Sequence, residues 1–172
     1  MFQKDYLMRQ IMEFSKGLAR ILGRQKSGEV VETGQELDEI YQSSLGLGRD
    51  TVLQMSDQQL LILFGGEEAI ESDKCIMLAE LFYTELQLLH TAKDDPLRNE
   101  LRLRALRYYL LAVHGTDMWD DTEFRQHFEE VRDSLSLSNI PISLLEYLVT
   151  YYERVGDQAN KAQVMEEISR RT

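Results

Sequence analysis

Imidazoles and carboxylates crowd one short segment of this chain. His114, Asp117, Asp120, Asp121 and His127 are the residue types that bind zinc, manganese or iron. Their intervals fit no metal-site pattern, so no metal site is expected. Asp120-Asp121-Thr122 reads instead as the cap of a helix starting near Glu123, where negative charge is favoured. Arg98, Arg102, Arg104 and Arg107, beside Tyr108 and Tyr109, are types that grip phosphate or stack on bases. Arg98 and Arg102 lie one turn apart while Arg104 faces elsewhere, so this group reads as a solvated helix flank. Arg9, Lys16, Arg20 and Arg24 fall on one side of the first helix and suit an acidic partner. The plainer reading of these four is a solvated face paired loosely with Glu36, Asp38 and Glu39. Cys75 has no histidine near it in sequence and reads as a small core residue. Trp119, alone in the acidic stretch, reads as a plug over the end of the core in preference to an exposed interaction anchor. The chain contains no phosphate loop, dinucleotide fingerprint, nucleophile elbow or metalloprotease helix, so neither an enzyme nor a cofactor is expected.

The elements that would position these residues are helices. Leu7, Ile11, Phe14, Leu18, Ile21 and Leu22 recur at spacings of three and four, which predicts a two-faced helix over about 3–25. A second helix follows Ser27-Gly28, with Val30, Val31, Leu37, Ile40 and Tyr41 inward, and ends in the glycine-rich stretch 45–48. Ser56-Asp57-Gln58-Gln59 reads as a capping box that opens a short linking helix near 56–64, which Gly65-Gly66 stops. Over about 70–92 the apolar positions cover more than a stripe, which predicts a central helix touched on several sides. Asp94-Asp95-Pro96 starts the next helix, with Leu97, Leu101, Ala105, Leu106, Tyr109, Leu110 and Val113 inward. A shorter helix carries Phe124, Phe128, Val131 and Leu135, and a last hairpin begins near Pro141 and turns at Gly156-Asp157. Two-residue alternation is not sustained anywhere, so strands are not expected.

With 172 residues, 43% of them hydrophobic and 28% charged, the chain suits one folded domain over 1–172. Its single cysteine forms no internal disulfide, and nothing at the N-terminus resembles a signal peptide. The longest apolar runs are too short to span a bilayer. A reducing cytoplasm is the expected setting, without membrane attachment. The net charge of −11 disfavours nucleic acid. Residues 1–26 nevertheless hold six basic and two acidic side chains, a local balance of +4 that leaves −15 for the remainder.

Residues 24–40 and 152–168 carry one pattern twice, pairing Gly28 with Gly156, Gly34 with Ala162, Gln35 with Gln163, Leu37 with Met165 and Ile40 with Ile168. It describes a helix end, a tight turn and a new helix whose small residue, six positions on, would let the two helices lie close. This spacing resembles that of tetratricopeptide repeats, which place the small residue one position earlier. The opening MFQKDYLMRQI with SGEVVETGQELDEIYQSSLGL is similar to a family of small bacterial proteins of unknown function with tetratricopeptide-like helices. The resemblance implies a bacterial cytoplasmic setting and an all-α fold. That fold would be a superhelical stack of about seven or eight helices, with hairpins near 3–46, 70–114 and 121–171.

The expected function is binding of a protein or peptide along the groove between hairpins, with Arg9, Lys16, Arg20 and Arg24 making charged contacts at one end. Two alternatives stand beside it. One is a small-ligand or metal-responsive sensor that uses the acidic loop at 114–127. The other is a homo-oligomeric structural protein, a homodimer in its simplest form, joined through the first helix.

Overall fold

The computed structural model describes residues 2–27, 30–90, 95–113 and 122–172. These residues form helices and turns with no strand among them, and the chain is all-α. Nine α-helices run in order among the described residues: α1 Phe2–Lys26, α2 Val30–Leu45, α3 Arg49–Gln54, α4 Asp57–Leu63, α5 Ser72–Leu88, α6 Pro96–Ala112, α7 Thr122–Asp133, α8 Ile142–Val155 and α9 Gln158–Arg171. A 3-10 turn at Leu137–Asn139 precedes α8. No helix among the described residues is long and apolar enough to cross a membrane.

Local sequence sets many of the boundaries. The Ser56 hydroxyl accepts from the Gln59 amide while the Gln59 side chain accepts from the Ser56 amide, so the capping box opens α4 as its residues imply. Asp95 caps α6 with Pro96 at its first turn, where the missing N–H costs nothing. Gly156 ends α8 at φ 76°, a left-handed position that suits a residue without Cβ, and Asp157 then caps α9. The helix α3 was not legible in the sequence: only six residues long, it carries one buried apolar side chain, Val52.

The centre is α5. Twelve consecutive residues from Cys75 to Leu86 are buried, so every side of more than three turns is covered. The neighbours that cover it are α1, α2, α6 and α7, and α8 then packs on α6 with α9 outside it. An aromatic seam joins these layers: Phe82 stacks on Tyr108 at 5.8 Å, and Tyr109, Phe128 and Tyr151 meet edge to face.

Two sequence expectations fail here. The repeat pattern makes Gly34 the small residue that brings α2 against α1, yet a Cβ there meets nothing within 4 Å among the described residues. The close approach lies instead at Gly17 on α1, where a Cβ would stand 3.1 Å from Ile40 Cδ1. In the C-terminal copy the matching Ala162 is exposed. The second failure concerns Leu97, read as inward, which is 46% exposed.

Candidate functional site

Buried polar groups add specific ties between α5 and its neighbours to the apolar packing. Glu85 accepts from the Tyr41 hydroxyl at 3.0 Å and takes Arg49 in a two-pronged pair at 2.6 and 2.7 Å, which fastens α2 and α3 to the centre. Burial, reinforced by the Glu85 charge, pushes the Tyr41 hydroxyl well above its ordinary pKa. One turn earlier, Glu80 is 3% exposed and accepts from Tyr109 at 2.5 Å and from His127 Nδ1 at 3.0 Å. The Tyr83 ring stacks on the His127 imidazole at 4.1 Å, and its hydroxyl donates to Glu130 at 2.6 Å. Burial pulls the His127 pKa down, but the hydrogen bond and charge of Glu80, with Glu123 and Glu130, outweigh it and the net shift is upward.

Arg104 corrects the reading of the α6 arginines as a solvated flank. It is 5% exposed and donates to Asp57 at 2.9 Å and to the carbonyls of Val52, Leu53 and Met55, with its guanidinium 4.2 Å from the Phe82 ring centre. It therefore satisfies the open carbonyls at the end of α3 and holds that helix to α6. Arg107 lies 3.2 Å from the same aspartate, Arg98 donates to the Leu89 carbonyl and Arg102 to Asn99. Cys75 is fully buried, with its thiol pushed up to about 12 by burial and the Asp73 charge, so it is no nucleophile.

Of the histidine and aspartate cluster, only His127 lies among the described residues; His114, Asp117, Asp120, Asp121 and Trp119 lie outside them. Three or more His, Cys, Asp or Glu in metal-binding proximity do not occur among the described residues. His127 borders a groove of about 370 Å³ with Lys26, Tyr83, Gln87 and His90. A carboxylate holding an imidazole by Nδ1 is the arrangement of a general-base pair, but among the described residues no serine, threonine or cysteine lines this groove.

Arg9, Lys16, Arg20 and Arg24 of α1 differ in their surroundings. Arg24 pairs with Glu36, whose second oxygen lies 3.9 Å from Arg20, so the expectation of loose pairing across to α2 holds for these two. Asp38 caps α3 by accepting from the Arg49 amide at 2.7 Å. Lys16 stands 3.9 Å from Glu13, both widely exposed. Arg9 and Arg20 border a groove of about 460 Å³ between α1, α2 and the start of α5. Its floor is Phe14, Gly17, Ile40 and Met77, and its α5 side carries Lys74, which donates to the Ser44 carbonyl at 2.7 Å. Among the described residues, three bases and one acid, Glu13, therefore line it on a chain of net charge −11. Lys74 had no signal in the sequence, because it joins the groove through the packing of α5 on α2.

Comparison with protein-family models, with curated proteins and with solved structures gives no match. The fold establishes an all-α protein, and the groove is the arrangement from which a function can be argued.

Proposed function

We propose that this protein is a helical binding module that holds a peptide segment of another protein in the groove between α1, α2 and α5. One observation carries the reading: an open cavity of about 460 Å³ with an apolar floor and Arg9, Arg20 and Lys74 at its edge. A groove with a few charged groups over an apolar base is suited to fixing a chain in one register. Its charged groups are drawn little into structural pairs, whereas those against α5 are consumed by them. Tyr6, 58% exposed, lines the groove and adds apolar area to it.

The pairings α1 with α2, α5 with α6 and α8 with α9 support a tetratricopeptide-like stack of three hairpins, into which α3, α4 and α7 are inserted. A peptide groove between hairpins is the use to which such a stack lends itself. The protein acts by holding its partner, without catalysis.

Selection of random peptides on the immobilised protein, followed by hydrogen exchange of the protein with each selected peptide, tests this. Slower exchange over residues 6–20 and 40–44 is the expected result. Selected peptides that protect α7 to α9 instead, or no enrichment at all, would refute it.

A further inference from the structure

Arg9 and Arg20 stand eleven residues apart on α1. That is about three turns, so both project from one side of the helix, with Cα atoms ~16 Å apart at about 1.5 Å per residue. Between them lie Glu13 and the apolar floor of Phe14, Gly17, Ile40 and Met77. The groove is therefore basic at two ends and apolar in the middle. Beneath it α1 and α2 already meet closely at Gly17 and Ile40. An extended chain, with only alternate side chains turned inward, fits.

We infer that the groove selects an extended acidic segment of the form acid, any residue, apolar, any residue, acid; this rests on the peptide-binding reading above. Alternation turns the first, third and fifth side chains to the same face. The two carboxylates are about 13 Å apart at about 3.3 Å per residue, and the long arginine side chains close the remaining gap. One carboxylate meets Arg9 and the other Arg20, with the apolar residue over Phe14 and Ile40. Glu13 lies between the ends and rejects a third acid at the centre. Lys74 keeps N–H groups beyond the one it gives to Ser44 and faces the peptide backbone from the α5 side.

The test is an amide chemical-shift titration of the isotope-labelled full chain with the peptide Glu-Ser-Leu-Ser-Glu, flanked by Gly-Ser and blocked at both ends. Shifts should gather in α1, α2 and the first turns of α5. Replacing either glutamate by glutamine should raise Kd about threefold to tenfold. Arg9→Gln and Arg20→Gln should each cost as much as the loss of one acid, and each should cancel the effect of removing the acid it meets. Both arginines border the groove, so these variants should fold as the parent does, and their unperturbed spectra are the control.

Groove shifts that ignore the acids would overturn this inference while leaving the peptide-binding reading intact. Shifts elsewhere, or none, would overturn both. Equal binding of polyglutamate or a single-stranded oligonucleotide would show attraction to any polyanion and overturn the selectivity. Groove shifts on raising protein concentration alone would assign the surface to a second copy, against this inference.

Discussion

The two sides of α5 use charge in opposite ways. Toward its middle and C-terminal half, Glu80 and Glu85 each face two partners, and the hydroxyl, imidazole and guanidinium groups they hold come from α2, α3, α6 and α7. Toward its start, Lys74 looks across a groove at Arg9 and Arg20, both exposed, with Arg20 only loosely paired to Glu36 at 3.9 Å. The difference shows which polar residues belong to the fold and which are available to something else. A buried charge must be matched within the protein because its desolvation is so costly, whereas a charge at a groove edge keeps its water until a ligand replaces it.

Breaking the paired half should have the largest effect. Glu85→Ala leaves Arg49 and the Tyr41 hydroxyl without their acceptor and should destabilise the fold by about 3–5 kcal/mol in urea denaturation. Arg104→Met removes the donor from three carbonyls and from Asp57, and should cost about 2–3 kcal/mol by the same measurement. A cost below about 1 kcal/mol for either would mean that the network matters little.

His127 sharpens the contrast through pH. Its folded pKa lies above the unfolded value of about 6.5, so its contribution is full below that pH and is lost as pH rises through the folded pKa. The melting temperature of the parent should fall between pH 6 and pH 9 by more than that of His127→Asn. Parallel trends in the two proteins would deny the Glu80 pairing an energetic role.

A smaller effect of opposite sign is expected at Gly34. With open space around its Cβ position, Gly34→Ala should stabilise α2 by about 0.5–1 kcal/mol through helix propensity. Destabilisation would restore the close approach that the sequence repeat suggested.

That glycine marks where sequence reading stopped. Apolar spacing placed α1, α2 and the longer helices because each shows its buried stripe locally. Capping residues at Ser56, Asp95 and Gly156 wrote three boundaries directly into the chain. What could not be read was which polar residue turns inward. Arg104 looks like its neighbours Arg98, Arg102 and Arg107 in sequence, and only the arrival of Asp57 and the end of α3 separates it from them. The candidate site was legible in part for the same reason. Arg9 and Arg20 stand out as basic residues on an amphipathic helix, but the removal of Arg24 by Glu36 and the addition of Lys74 are properties of packing.

The groove-edge charges Arg9, Arg20 and Lys74 serve binding, while Glu80 and Glu85, buried in α5, maintain the fold. Equilibrium urea denaturation of Arg9→Gln/Arg20→Gln beside Arg49→Gln tests it most directly. The groove variant should unfold within about 0.5 kcal/mol of the parent, and Arg49→Gln, which strips Glu85 of its two-pronged partner, at clearly lower urea. A groove variant that unfolds as early as Arg49→Gln would contradict the account.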